Sequence, residues 1–547
     1  MVREYIGARY VPRFMGTWSN TTQYEALDIV DDGLGTSYTS KIPVPAGTPL
    51  TNTTYWAVTG STNGAIVSLQ NRVSALEDIF TTPQFFGAEA DGVTDDTQAI
   101  QDAVDSGMNV YFPSGNYLVK NHVVIPSDII LFGSGTIVDD LSGLADNDDG
   151  AFYINNKKNI IIEGLRFQGA GALSGTPNHG CLIFANNSEN ITIRDCEFFD
   201  VDKYYSVCTK ATNNVLVDGI YVHDYSYSGY MNLNAGCDIT VSNSRFIDCV
   251  GKSAFHSYPI SVSGHDFVIS SRISDAKNLK VIGNYIENSG DPWWEGIDAH
   301  GGINVVISDN IVKNTYSGIA IFGEDNGYFI LEDAVISNNV LIGPGTTGSV
   351  ENFGNAGIVV SRADRVNIEN NLLTGWGGLS SSETRAIRLG ICNDVSVSGN
   401  TINNNGPSSD SPGDVIYIAG NRISVYNNNI YSNKMYYAFG ITGDCHDIDI
   451  STNLIRNSGH LSHASLTGAS PMRIRVHDNN TDDAIGQNTA QGYVPQVAAG
   501  SNVLKGGMLG DIVYNSAPAS GSPLGWICTT AETGSGLDAV WTNLPNI

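Results

Sequence analysis

The stretch DPWWEGIDAHGG, residues 291–302, gathers three titratable side chains, Glu295, Asp298 and His300, behind two adjacent tryptophans, Trp293 and Trp294. Two carboxyl groups can hydrolyse a glycosidic bond, with retention when about 5–5.5 Å apart and with inversion at about 6.5–9.5 Å. A histidine base beside a cation can instead remove the proton next to a uronate carboxylate, as a lyase or epimerase requires. Tryptophan faces stack on the C–H groups of sugars, so either chemistry points to a glycan. Alternation along GIDAH turns Ile297 and Ala299 inward and leaves Asp298 and His300 outward on one face of a strand. The plainer alternative is an ordinary surface, where an exposed ion pair contributes little. Two other stretches compete. HDYSYSGYMNLN (223–234) carries His223, Asp224, Tyr225, Tyr227 and Tyr230, and FHSYPISVSGHD (255–266) offers His256 and Asp266 to the same groove.

The elements that must hold these residues are visible as a repeat. From about residue 150 to 470 a short apolar alternation recurs with the phrase N-[IVL]-x-[IV]-x-x-N, as in NIIIEGLRF (159–167), NITIRDCEF (190–198), NLKVIGNYI (278–286) and NVVISDNIV (304–312). A turn asparagine recurs at Asn284, Asn310, Asn338, Asn370, Asn400, Asn428 and Asn453, every 25 to 32 residues. A period of this length with alternating apolar residues means stacked strands, each unit burying its apolar face only against the next. The repeat length implies about a dozen rungs. Valine, isoleucine, asparagine and glycine dominate, and no 3.6-residue period persists, which excludes helical repeats. The expected fold is all-β, a parallel β-helix, right-handed by the usual chirality of parallel crossovers.

Stacking then supplies neighbours. With Asn278 aligned to Asn304, Arg272 falls beside Asp298 and Ser274 beside His300, on rungs about 4.8 Å apart. The same alignment puts Ser361 in line with His300 and Arg388 in line with Asp298, further along. The next rung, GIAIFGEDNGYF, carries Glu324 and Asp325, which can overhang this face. The candidate catalytic set is therefore Asp298, His300, Glu295, Arg272, Glu324 and Asp325, with Trp293, Trp294, Tyr230, His256 and Arg388 as glycan contacts.

The rest of the chain sets limits. It has 547 residues, too many for one compact core unless the fold grows by repetition. There are 28 Lys plus Arg against 56 Asp plus Glu, a formal net charge of −28, which disfavours nucleic acid and anionic membranes as partners. The eight cysteines form no CxxC pair and read as small buried residues. No secretory signal and no apolar run near about 18 residues is found, so the expectation is a protein made in the cytosol and released by lysis. The acidic loop DNDDG (146–150) lacks EF-hand spacing and reads as a solvated turn; Ca²⁺ is a weaker option there, and otherwise no metal or cofactor is expected. Residues 1–62 form a Tyr- and Thr-rich module. Within residues 63–82, Ile66, Leu69, Val73, Leu76 and Phe80 follow coiled-coil spacing. Residues 83–480 are the solenoid, and residues 481–547 a small β-module with Trp526 and Trp541 as core. Asp95–Asp96–Thr97, followed by Ile100 and Val104, opens a short amphipathic helix that plugs the first rung, and the acids of DGVTDD (91–96) read as turn and cap chemistry.

FGAEADGVTDDTQAIQDAV and VYFPSGNYLV, within residues 86–119, resemble the opening of pectate-lyase-like β-helix proteins, common in phage tailspikes and polysaccharide depolymerases; the resemblance extends over roughly residues 84–480. It implies a homotrimer, an N-terminal module that either attaches to a phage particle or baseplate or binds carbohydrate, a virion-tail location, and a bacterial surface polysaccharide as substrate. GIDAHG also resembles the D-x-H motif of β-helix mannuronan epimerases, onto which Asp298 and His300 map. That family places an aromatic acid/base just upstream and an acid at the start of the next rung, where this chain has Glu295 and Ser317. The extra carboxylates favour an endo-glycosidase; a uronate lyase led by His300 and Arg272, and a non-catalytic glycan-binding spike, are the alternatives.

Overall fold

The structure, a computed structural model, describes residues 12–61, 80–141, 148–169, 178–234, 236–249, 258–264, 276–287, 295–323, 330–343, 356–376, 385–404, 414–432, 437–443, 445–456, 460–466, 474–477, 479–481, 512–514, 525–530 and 540–543. The chain divides into two units, Met1–Thr81 and Thr82–Ile547. In the first, a four-stranded sheet of Arg13–Thr17, Asp28–Asp31, Thr36–Ser40 and Trp56–Ser61 closes over Tyr24, Val30, Val44 and Trp56. The expected coiled-coil seam falls almost wholly outside the described residues; only its last position, Phe80, is described, in the short strand Phe80–Thr81.

The second unit is the expected solenoid. Most described rungs contribute three strands, for example Glu295–His300, Gly302–Ser308 and Ile311–Lys313, while in two later rungs the first two run together as Arg385–Ser398 and Asp414–Tyr426; the described pairings between rungs are parallel. The third strands stack into one sheet of 15. The repeat phrase begins only near residue 150, so the rungs before it, where strands such as Asn116–Val119 and Thr136–Asp139 lack the phrase, go uncounted in the sequence. Inside, β-branched side chains stack in register: Ile193, Val217, Val241, Val281, Ile307 and Ile336 are each in line with the next and almost wholly buried. Stiff branched side chains lose little rotamer freedom there and pack well on a pleated surface.

Two asparagine columns explain the phrase. Its first Asn is a corner residue in the left-handed region, with φ of +58° at Asn159 and Asn278 and +60° at Asn304, a conformation asparagine tolerates better than most residues. Further along, the same corner holds Asp333, Arg365, Asp394, Arg422 and Asp447, where acids and arginines alternate; Arg422 Nε lies 2.6 Å from Asp394. The second Asn is buried. Its amide bonds a backbone carbonyl and the next rung's Asn, as in Asn310 Nδ2 to Val281 O (2.8 Å) and to Asn339 Oδ1 (2.9 Å). This ladder runs through Asn284, Asn310, Asn339, Asn371, Asn400, Asn428, Asn453 and Asn479. Asn338 and Asn370, assigned to it from the sequence, instead occupy the left-handed turn one residue earlier (φ +57° and +56°), because only the following residue points into the stack.

The helix forms over Thr97–Asp105, with Ile100, Ala103 and Val104 wholly buried in the solenoid core. The DGVTDD acids are structural: Asp91 accepts from the Val93 and Thr94 amides, and Asp96 from those of Glu89 and Ala90. Among the described residues Cys181, Cys196, Cys208, Cys249, Cys392 and Cys445 are buried, and Cys237 is partly exposed. Near the C-terminus Ile512–Tyr514, Gly525–Thr530 and Val540–Asn543 form an antiparallel sheet.

Candidate active site

Strict alternation would put Glu295 on the same side as Ile297 and Ala299, away from Asp298. The strand Glu295–His300 breaks that rule at its second residue. A Cβ added to Gly296 would lie 2.5 Å from Val312 Cγ1 and 2.8 Å from the Gly318 carbonyl, so Gly296 faces the core. Ile297 and Ala299 face it too, both fully buried in the core cluster. Two consecutive inward positions bring Glu295 and Asp298 to the same outer side. The neighbouring rungs repeat the device with Gly318–Ile319, Gly357–Ile358 and Ala386–Ile387 in register.

Outer here does not mean exposed. Asp298 is 2% and Glu295 8% exposed, while the His300 side chain keeps 33%. Asp298 Oδ2 accepts a 2.8 Å hydrogen bond from Ser261 Oγ, and Asp298 Oδ1 lies 3.4 Å from His300 Nε2. His300 packs against the Phe322 ring at 5.4 Å. Burial pushes the Asp298 carboxyl up to about 8, against the opposing Ser261 bond. Glu295 is likewise raised, by burial first and then by the charge of Asp298. Two adjacent buried carboxyls do not both ionise readily, so the pair retains a proton at neutral pH. Glu295 Oε2 and Asp298 Oδ1 are buried without a hydrogen-bond partner among the described residues. Buried polar atoms in this condition call for a physical explanation, a catalytic role among them.

Tyrosines wall the N-terminal side. Tyr227 and Tyr258 meet edge to face at 5.7 Å, and Tyr204 and Tyr205 lie at 5.1 and 5.9 Å from Tyr227. Burial, reinforced by nearby negative groups that include both carboxylates, raises the phenol pKa of Tyr227 and of Tyr258, which keeps them neutral hydroxyls. Toward the C-terminus the columns of Glu295 and Asp298 continue through small residues, Ser317 and Ala356 in one and Ala320 and Val359 in the other, to Arg385 and Arg388.

Asp298, Glu295 and His300 come together as the sequence predicts. Ser361 is in line with His300 and Arg388 with Asp298, also as predicted. Arg272 was expected beside Asp298, but Ser261 holds that place. The strand Tyr258–Gly264 lacks the asparagine phrase, so aligning on Asn278 skipped past it. Tyr230 is not a glycan contact: it is wholly buried in the core, its hydroxyl 2.9 Å from Thr209 Oγ1. Tyr225 is a core residue as well. His223 and Asp224 lie on the 15-stranded sheet, where His223 contacts Asp224 at 2.7 Å and Glu197 at 3.2 Å. Only Tyr227 of that stretch reaches the carboxylates, and neither it nor Tyr258 and Ser261 was singled out for this site. Arg272, Trp293, Trp294, Glu324, Asp325 and His256 lie outside the described residues. Asp148 and Asp149 of the acidic loop are engaged by Lys210 at 2.5 Å and His122 at 3.4 Å. Among the described residues no group of three or more His, Cys, Asp or Glu is placed to hold a metal ion, and no helix is long and apolar enough to cross a membrane.

The fold and this face define a class, the pectate-lyase-like right-handed β-helix. Residues 84–174 match the family described as rhamnogalacturonase A/epimerase, pectate lyase-like, and residues 130–330 match the right-handed β-helix region. The chain is similar to plasmin and fibronectin-binding protein A of Streptococcus pneumoniae, 24% identical over 422 residues, covering 66% of this chain and 55% of that protein. It is similar to the pre-neck appendage protein of Bacillus phage phi29, 26% identical over 427 residues, covering 60% and 48%, and to alginate lyase 7 of Azotobacter vinelandii, 26% identical over 212 residues, covering 34% and 24%. The chain spans about half the length of the first two relatives. Among solved structures, the N-terminal fragment of bacteriophage phi29 gene product 12 superposes with a TM-score of 0.57 at 17% identity, covering 77% of this chain and 73% of that one.

Proposed function

We propose that this protein is a polysaccharide-cleaving enzyme, an endo-glycosidase in which Glu295 and Asp298 share the acid and base roles. The observation that carries the reading is the buried pair itself: two carboxyls on one rung, both raised by burial, with Asp298 Oδ1 facing His300 Nε2 and Glu295 Oε2 making no hydrogen bond among the described residues. A proton held by the pair supplies a neutral acid for the leaving oxygen, and the partner carboxyl, once ionised, serves water or the anomeric carbon. Tyr227 and Tyr258, held neutral, offer hydroxyls to sugar oxygens and ring faces to sugar C–H groups. His300, half-exposed beside Asp298, supports a second reading, β-elimination from a uronate glycan, and the similarity to an alginate lyase agrees with it. The similarity to a phage appendage protein supports a place on a phage particle; a trimeric assembly, attachment through the N-terminal unit and a bacterial surface glycan as substrate belong to the same proposal.

The test is a panel of capsular and cell-wall polysaccharides incubated with the wild type, Glu295→Gln and Asp298→Asn, reading new reducing ends and unsaturated-uronate absorbance together. Each amide variant is expected to lose at least about 100-fold in rate while keeping its fold, because general acid–base catalysis contributes that much or more. Reducing ends without absorbance identify the hydrolase; absorbance identifies the lyase. Full activity in both variants sinks the assignment, and glycan binding without any cleavage by the wild type makes the protein a binding spike.

A further inference from the structure

A second buried cluster of charge lies in the early rungs of the solenoid, outside the site described above. Asp139 ends the strand Thr136–Asp139, and Lys203 begins the strand Lys203–Lys210. Asp139 is 1% exposed, Lys203 4%, and Asp202, the residue before it, 4%. Lys203 reaches back over the intervening rung, whose residue in register with Asp139 is Gly169. A Cβ at Gly169 would lie 2.7 Å from Asp202 Oδ1, so the absent side chain leaves room for the cluster.

The geometry is more specific than an ion pair. Lys203 Nζ lies 3.2 Å from Asp139 Oδ2, yet Oδ2 makes no hydrogen bond; the Lys203 ammonium donates to the Leu141 carbonyl. Asp139 Oδ1 accepts from the Leu141 amide at 3.2 Å. Leu141 therefore holds the amine with its carbonyl and polarises the carboxyl with its N–H. A donor on the oxygen that will gain charge, with a nucleophile fixed beside the same carboxyl, prepares an acyl carbon for attack. Burial raises the Asp139 carboxyl to about 6, with the charge of Asp202 adding to the rise and that of Lys203 opposing it. Some molecules near neutral pH thus carry the carboxylic acid, whose hydroxyl can leave as water. Left ionic, an ammonium and two carboxylates stay out of water at a high desolvation cost.

We propose that Lys203 and Asp139 condense into an isopeptide bond, a covalent staple across three successive rungs, with Asp202 as the base. Asp202 takes a proton from the Lys203 ammonium, and the neutral Nζ attacks Asp139 Cγ. A C–N bond forms, and Oδ1 takes the negative charge beside the Leu141 N–H. A proton passes from the attacking nitrogen to Oδ2, the Cγ–Oδ2 bond breaks, and Oδ2 leaves as water. Asp202 later gives its proton to solvent. One water is lost and nothing is oxidised or reduced. The amide removes two buried charges, and this inference is independent of the glycan-cleaving reading.

The experiment reads mass. Full-length wild type is expected to be one water lighter than its sequence, and a tryptic digest to contain residues 121–157 joined to 195–210, with no cleavage after Lys203. Lys203→Arg should return to the full sequence mass and melt at a lower temperature, because a cross-link restrains the unfolded chain. Asp202→Asn should form the bond slowly, so that a fresh preparation holds the full-mass form. Wild type at its full sequence mass overturns the proposal, whatever the variants do. A water loss mapped to an Asp–Gly step rather than to Asp139 and Lys203 overturns it as well. Cross-linking as complete in fresh Asp202→Asn as in wild type removes Asp202 as the base.

Discussion

Ser261 and Asp298 are 37 positions apart in the chain and joined by a 2.8 Å hydrogen bond from Ser261 Oγ to Asp298 Oδ2. A bond to the ionised carboxylate favours ionisation, so it opposes the burial that raises this group. Ser261→Ala is expected to push Asp298 higher still. The pH–rate profile of the variant should move toward alkaline pH by up to about one unit. A profile that moves toward acid, or stays put while activity survives, removes Ser261 from the site.

The carboxyl pair also sets a slope in stability. Burial raises the folded pKa of Glu295 and Asp298 above their unfolded values. Between those values the folded state binds more protons than the unfolded state, so stability falls as pH rises. The window runs from the ordinary carboxylate range up to about 8. The slope is about 1.4 kcal/mol per pH unit for each proton retained only in the folded state. Glu295→Gln combined with Asp298→Asn should flatten melting temperature against pH across this window and leave the protein more stable than wild type at its alkaline end. An identical slope in the double variant would contradict the burial account.

Gly296 is predicted to be irreplaceable for a steric reason. An alanine methyl would meet both Val312 and the Gly318 carbonyl, and the carbonyl cannot give way without moving a backbone. Gly296→Ala should cost roughly 1–3 kcal/mol, as overpacking of a filled core does. Activity should fall further than stability does, because the shift turns Glu295 away from Asp298. A variant as stable and active as wild type would mean that the strand accommodates the methyl freely.

The asparagine ladder offers a test away from the chemistry. Asn371 donates to Ile336 O and Asn400 Oδ1, each at 2.9 Å, and its own Oδ1 accepts from Asn339 N at 3.0 Å. Asn371→Ala strands several buried polar groups and should destabilise by roughly 3 kcal/mol or more. Asn370→Ala next door removes only a residue suited to positive φ and should cost less, about 1 kcal/mol. Thermal melts of the two variants rank them; the reverse order would restore the ladder position first assigned to Asn370.

Local repetition is what the sequence determined by itself. Apolar alternation and recurring asparagines require stacked parallel strands, because each rung can bury its apolar face only on its neighbours. The cap helix was legible from Thr97, Ile100 and Val104, and the alignment of Ser361 with His300 and of Arg388 with Asp298 followed from the repeat. Tertiary structure decided what repetition does not encode. Ser261 stands beside Asp298 because the strand Tyr258–Gly264 enters the stack without the asparagine phrase. Tyr230 turned inward and Tyr227 outward because register against neighbouring rungs, not residue type, assigns each face. Glu295 joined Asp298 because Gly296 lets one rung approach Val312 closely enough to take two inward positions in a row. The raised carboxyl pKa values follow from that burial, which depends on contacts between rungs and is not contained in the composition of any one of them.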